Sequence, residues 1–581
     1  MGNRLKIGPH FFRKTFFESF GLFAVLLAAI VYPCFAGCTA QPRPERKDSF
    51  SQEGTQRAPK AREDRPAEQS RSAIRKGASR SDSFSMEPGT DRAGSKEPGR
   101  QARVEPPRTG REDPFSAERG SSSRGEAKRK TEEQAPSSSQ YEETVAQDPH
   151  TFHLPVYNQV VPLMERGDYS GACAALKLNE SQFGDKDRLL FLLESGLTYL
   201  YAGDFETGQA ILAEAESLEQ DLYTKSLTVQ ASTFIVNDLA APYRGEDFES
   251  VMINLFRALG YVKSGGIEDA LVEARKVDSK LTAINSQYPE DKKNVYKEDA
   301  FARWLVGMLY ETDPTSANLN DAFIAYRKAL DVYETDYGND YLVGPPDLLK
   351  SSYLTVAKWM GTAEFKEATR KYGKVPYLSV DQKKKLSELT FIHFSGKSPV
   401  KVERSIISPL PDGHIVKLAF PVYQDRTSRI AGSQIVARPT AGEKILTANT
   451  ELGDPVGRIA KANLENRKTR IMAKAIARAA AKYAATKIAE QQARNQWGDT
   501  WGWVIGALGN VYAVLSEKAD LRFWQGLPSE IRVAKLAVPP GLYSLQVNCT
   551  DSAGNILENI DLGTVTTKPG EHRFFTFTTV K

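Results

Sequence analysis

The sequence predicts an α+β protein: an all-α helical-repeat solenoid, then a β-sandwich-like domain with a helical hairpin insertion, behind a long disordered N-terminal tether. Three observations carry this. Small and aromatic residues return at helical spacing between 148 and about 380. The apolar period drops to two after Lys384. Residues 39–147 hold only isolated apolar residues. The 581-residue chain divides accordingly into a leader (1–37), a tether (38–147), a helical part (148–380) and a β-rich part (385–581) with helices over about 456–516.

The leader begins with Arg4, Lys6, Arg13 and Lys14, followed by the apolar run Phe20–Tyr32. A basic start and a short apolar run make a secretory signal, and the run falls short of the roughly 20 residues a spanning helix needs. The next residues, Phe35-Ala36-Gly37-Cys38, resemble the lipobox of bacterial lipoproteins. That resemblance implies cleavage before Cys38, acylation of its thiol and amine, and, with Thr39 rather than Asp after it, an outer-membrane destination. Two or more acyl chains anchor a protein stably where one does not.

Between 39 and 147 there are 22 Lys/Arg and 19 Asp/Glu with interspersed signs, and too little apolar surface to offset chain entropy. The whole chain has 77 basic and 73 acidic residues, too balanced for a dedicated nucleic-acid binder. Mean hydropathy is −0.44, in keeping with a polar segment beside folded ones.

From 148 onward one pattern repeats: Gly167-Asp168-Tyr169 with Ala172 and Leu176; Gly203-Asp204-Phe205 with Gly208 and Leu212; Ala258-Leu-Gly-Tyr261 with Ala270; Gly307-Met-Leu-Tyr310 with Ala322 and Tyr326. This is the tetratricopeptide pattern, in which small residues let paired helices cross closely and aromatics fill the gaps. The spacings of 36, 62 and 52 residues between Ala172, Gly208, Ala270 and Ala322 predict inserts or degenerate repeats. Asp313–Asn320 reads as a loop, and the stretch from Pro345 to about 371 as capping helices.

Strands are expected at 389–394, 399–407, 414–421, 433–438, 444–448, 531–538, 542–548 and 574–580, forming a small antiparallel sandwich. Two helices interrupt them. One, over 456–492, is long, Ala-rich and basic; the other, over 501–515, is apolar with Gly502, Gly506 and Gly509. A basic helix beside a Gly-spaced apolar one could engage a membrane or oligomerise, but the expectation is that this hairpin packs on the sandwich.

No enzyme, cofactor, metal or small-molecule ligand is expected. Gly396-Lys397-Ser398 is no P-loop, because Phe391 stands where a glycine is required and no helix opens after it. The six histidines show no metal-ligand spacing. Cys173 and Cys549 are expected as two buried thiols in separate domains.

Two clusters set charged residues among apolar ones. The first runs from Tyr243 through Glu249, Asn254 and Arg257 to Arg275. It is either an internal ion-pair network or a peptide-gripping groove, in which Asn254, Arg257 and Lys263 would contact the partner. The second is Asp520, Arg522 and Trp524, expected to pin the helical insert to the sandwich. Both clusters, with the basic Arg470-x7-Arg478-x3-Lys482 helix, resemble an uncharacterised family of tetratricopeptide-bearing bacterial lipoproteins over about 240–550. Its members tend to accompany lipoprotein activators of penicillin-binding proteins. The resemblance implies a lipid-anchored scaffold that binds periplasmic or envelope proteins.

Overall fold

Gly-Asp pairs organise the helical part of the computed structural model, which describes residues 142–144, 152–229, 238–286, 295–441 and 444–580. The leader, Cys38 and the tether as far as residue 141 lie outside the described residues. Helix α1 (Tyr157–Glu165) ends before Gly167, and Asp168 then caps α2 (Tyr169–Leu178) by accepting the Gly171 N–H at 2.8 Å. Gly203, in the left-handed region at φ 85°, ends α3 (Arg188–Ala202), and Asp204 accepts the Thr207 N–H to open α4 (Phe205–Val229). A glycine that stops one helix beside an acid that caps the next makes a tight helical hairpin.

The series continues with α5 (Asp247–Ser264), α6 (Ile267–Ser286), α7 (Ala300–Tyr310), α8 (Ser316–Val332), α9 (Asp347–Met360) and α10 (Thr362–Tyr372). Each helix packs on its neighbour in sequence. Gly307 shows why the motif needs a small residue: a Cβ there would lie 2.3 Å from the Tyr326 ring of α8. The irregular spacing has a physical origin in the 25-residue length of α4 and in the long connections after α4 and α6. The expected loop over 313–320 is shorter, because Thr315 caps α8 by accepting the Asn318 N–H, and the helix begins at Ser316.

The β-rich part holds β2 (Ser387–Ser395), β3 (Val400–Pro409), β4 (Ile415–Gln424), β5 (Gly432–Pro439), β6 (Leu446–Asn449), β7 (Glu451–Asp454), β8 (Glu530–Val538), β9 (Gly541–Thr550), β10 (Ile556–Thr567) and β11 (His572–Thr579). Two four-stranded sheets, ordered β10-β9-β5-β6 and β11-β2-β8-β7, face each other across a shared core. It includes Leu389, Phe391 and Leu536 from one sheet, and Ile435, Leu545 and Val547 from the other. The expected all-antiparallel sandwich is corrected in one place: β11 runs parallel to β2, with Phe575 opposite Phe391. β7 and β10 were not expected. β10 is polar, and two register shifts break its alternation.

A third sheet, β1-β3-β4, begins with β1 (Glu142–Thr144). This strand falls inside the span expected as tether. Antiparallel pairing of Glu143 with Ile406 uses main-chain groups, so it needs no apolar sequence.

Strand β2 is buried along its whole length because both faces are covered. Leu389 and Phe391 point into the sandwich, while Ile392 and Phe394 join the helical core with Tyr157, Phe256, Trp524 and Val580. Cys173 and Cys549 are both buried, and no disulfide joins them. The helical hairpin, α11 (Val456–Trp497) and α12 (Asp499–Ser516), is inserted between β7 and β8 and packs on β4.

Candidate functional site

The two sequence clusters are largely interior. Asn254 is wholly buried on α5, and its Nδ2 donates to Glu216 of α4 at 2.9 Å and to Glu273 of α6 at 2.8 Å. Arg257, one turn on, pairs with the same two carboxylates, and Lys276 adds a 3.0 Å contact to Glu273. Burial would raise the Glu216 carboxyl, but Asn254, Lys280, Lys276 and Arg257 bring it below its usual range. Of the three residues expected to grip a partner, Asn254 and Arg257 instead tie three consecutive helices together. Lys263 is exposed, with its ammonium 5.8 Å from the Phe575 ring centre.

The second cluster meets the first. The loop 519–528 crosses the N-terminal end of α5, where Glu246 and Glu249 form a capping box. Glu249 is fully buried, accepts the main-chain N–H of Trp524 at 2.7 Å and is bonded by the Tyr243 hydroxyl. Burial raises its carboxyl above the usual range. Glu246 pairs with Lys401 and Arg467, and these cations outweigh burial to bring it down to about 2. Lys401 also donates to the Arg522 carbonyl at 2.9 Å.

Arg522 is held by Asp520 at 2.7 Å, by Asp187 at 3.0 Å and by the Ala241 carbonyl at 3.0 Å, with its guanidinium over the Tyr243 ring. Asp520, Arg522 and Trp524 therefore pin the loop to the helical part rather than to the sandwich alone.

Glu194 makes the neighbouring clasp. It accepts the Gln525 and Gly526 N–H groups at 2.5 and 2.9 Å, and the Tyr157 hydroxyl at 3.2 Å. Burial pushes its carboxyl up to about 8, with the three donors working against the shift. The space beside it, about 10 Å³, admits no more than one water. Sequence reasoning missed Glu194, although a lone acid in the run Leu189–Leu197 was a usable signal.

A further clasp has no such signal. Tyr337 donates to Asp454 of β7 at 3.0 Å and to Asp299 at 3.4 Å, and Tyr333 donates to the Gly453 carbonyl at 2.5 Å. Burial, and then the proximity of Asp299, raises Asp454 well above the usual carboxylate range.

Two open features remain. The first is a groove of about 470 Å³ between the 340–342 turn, β4 and α11, lined by Tyr341, Leu342, Tyr423, Arg458, Lys461 and Lys468. Leu342 has φ 56° and is 81% exposed; Arg458 donates to the Tyr341 and Leu342 carbonyls at 3.0 and 3.4 Å. The second is the solvent face of α12. Among the described residues there is no group of three or more His, Cys, Asp or Glu that could hold a metal ion, and no helix is long and apolar enough to cross a membrane.

Fold and site together define a mixed α+β protein with a helical part and a β-rich part clasped by buried carboxylates. No protein-family model and no curated protein matches the chain. Solved structures do match. One, MamA MSR-1 C2, is 13% identical, with a TM-score of 0.22 over 38% of this chain and 92% of that chain. At that score the likeness carries no argument about fold or function.

Proposed function

We propose that the chain is a non-enzymatic scaffold that binds protein partners in the bacterial periplasm while held to the outer membrane by acyl chains on Cys38. The helical part acts in this reading as a tetratricopeptide-like solenoid, and the service rendered is in cell-envelope or peptidoglycan assembly. The lipobox-like sequence and the family resemblance support the location. The buried carboxylates support a non-catalytic role, because those of Glu194, Glu246, Glu249 and Asp454 accept hydrogen bonds or ion pairs that hold the two parts together, and that of Glu216 ties neighbouring helices.

One observation carries the binding reading: Leu342 in the groove. A branched side chain in left-handed backbone costs about 1–3 kcal/mol and persists only where the surroundings enforce it. Arg458 holds the turn through the Tyr341 and Leu342 carbonyls, and the result is a leucine held out into solvent beside three cations and the carboxylates of Asp340 and Glu465. Such a surface suits a polypeptide segment with an apolar side chain among polar and charged ones.

Pull-down from a periplasmic extract tests this, using the unmodified chain and Leu342→Ser/Lys461→Glu. The expected result is one or more partners enriched by the unmodified chain and lost with the variant. Identical partner profiles for the two would sink the reading.

A further inference from the structure

Strand β4 stands at the edge of its sheet, paired with β3 alone in the order β1-β3-β4. Its first residues fix which main-chain groups face away from β3. The His414 carbonyl accepts the Leu410 N–H at 2.7 Å and closes the hairpin between the two strands, so His414 faces β3. Ile415 faces the other way. Its N–H donates to the Asn510 side chain of α12 at 3.2 Å, and its carbonyl accepts from the same side chain at 2.8 Å. An antiparallel ladder alternates, and the register of β3 with β4 runs without a shift from Pro409 opposite Ile415 to Val400 opposite Gln424. Lys417, Ala419, Pro421 and Tyr423 therefore turn their main-chain groups outward, as Ile415 does. Pro421 agrees with this, because a strand proline has no N–H and belongs on an open edge.

Asn510 imitates a neighbouring strand at Ile415 only. Among the described residues, nothing bonds to the outward main-chain groups of Lys417, Ala419, Pro421 or Tyr423. Pro421 and Tyr423 line the groove that holds Leu342. One side of that groove thus presents the Pro421 carbonyl, the Tyr423 N–H and the Tyr423 carbonyl, a row that an extended backbone satisfies.

Two observations select the occupant. The opposite edge of the same sheet is closed by β1, whose Glu142-Glu143-Thr144 pairs with β3 through main-chain groups. The open edge stands between the 340–342 turn and α11, so a second folded copy, flanked by its own turn and helix, is held off where a lone segment is not. The walls carry both signs of charge, from Arg458, Lys461 and Lys468 and from Asp340 and Glu465, so charge does not choose the ligand.

We propose that the groove binds its polypeptide by strand addition. A lone extended segment of a partner protein lies along the Pro421–Tyr423 edge of β4 and exchanges main-chain hydrogen bonds with it, while alternate side chains meet the groove walls, Leu342 among them. This rests on the groove reading and goes beyond it by fixing the shape and the bonding of the ligand.

The test selects random peptides displayed on phage against the full chain. Each binder is then made unmodified, N-methylated at its odd-numbered amides, or N-methylated at its even-numbered amides. In an added strand alternate amides face β4, so one methylated form should lose about tenfold or more in affinity and the other should keep it. Leu342→Ser/Lys461→Glu should also weaken the unmodified binders.

Binders that the variant loses, but on which the two methylated forms act equally, overturn strand addition and leave the groove reading standing. A selection that yields no binder sensitive to the variant overturns both. A dimer in sedimentation that the variant splits also overturns the proposal, since a second copy then occupies the edge.

Discussion

Glu249 Oε1 accepts the main-chain N–H of Trp524 at 2.7 Å across 275 residues of sequence. The carboxylate that helps cap α5 is thus also the anchor of a distant loop, and with Glu194 it secures three consecutive main-chain N–H groups, those of Trp524, Gln525 and Gly526.

Glu249→Leu removes the acceptor for three buried donors, the Trp524 and Glu246 N–H groups and the Tyr243 hydroxyl. At about 1–3 kcal/mol for each unsatisfied buried group, the variant should lose about 3 kcal/mol of stability or more. Denaturant titration measures this. A midpoint unchanged from wild type would show that the clasp does not hold the parts together.

Glu194 gives stability a pH dependence. Its carboxyl is raised in the folded state from an ordinary 4.5 to about 8, so its protonated form is the one the fold favours. That stabilisation is complete below about pH 4.5 and is lost as pH rises through about 8. Glu194→Gln should therefore flatten the fall in melting temperature between pH 5 and 8, relative to wild type. Glu246 has the opposite sign: lowered to about 2, it stabilises above its ordinary 4.5, and the contribution disappears as pH falls toward 2. Parallel melting curves for wild type and Glu194→Gln across pH 5–8 would contradict the assignment.

Arg257→Ala leaves Glu216 and Glu273 close together without the guanidinium that pairs with both. Breaking a buried ion pair on one side costs about 3–5 kcal/mol, and most of that should appear here as lost stability. Partner capture per folded molecule should stay the same, because the side chain is inside. Loss of capture with an unchanged melting temperature would return Arg257 to the binding surface.

Cys38→Ser tests the proposed anchor. The variant should keep its signal and stay at the inner membrane, whereas wild type should partition with outer membrane and release its folded part on mild proteolysis between 39 and 141. Maturation and location identical to wild type would remove the lipoprotein reading, and with it the outer-membrane placement.

What the sequence made legible was local. The Gly-Asp pairs, the small-residue positions around Gly307 and the long basic α11 are written in consecutive residues, and the helices stand close to where their periods put them. The partners were not legible. Nothing near Asp454 announces Tyr337, 117 residues earlier, and nothing in Phe575 says that its strand runs parallel to β2. Both clusters of charge among apolar residues were visible, but composition could not decide whether they face a ligand or each other. Asn254 and Arg257 turned inward because Glu216 and Glu273 flank them on the helices before and after, a three-helix relation that no single period encodes.

The burial of β2 on both faces sets a timetable for chain growth. Ser387 waits for the carbonyl of Glu571, 184 residues downstream, before that edge of the strand is closed. At about 5–20 residues per second, the wait is roughly ten to forty seconds. Through that interval the edge that β11 will close stays open beside the apolar Leu389 and Phe391, the kind of segment that seeds aggregation. A holding factor that escorts the nascent chain would have its most urgent client in this nine-residue strand.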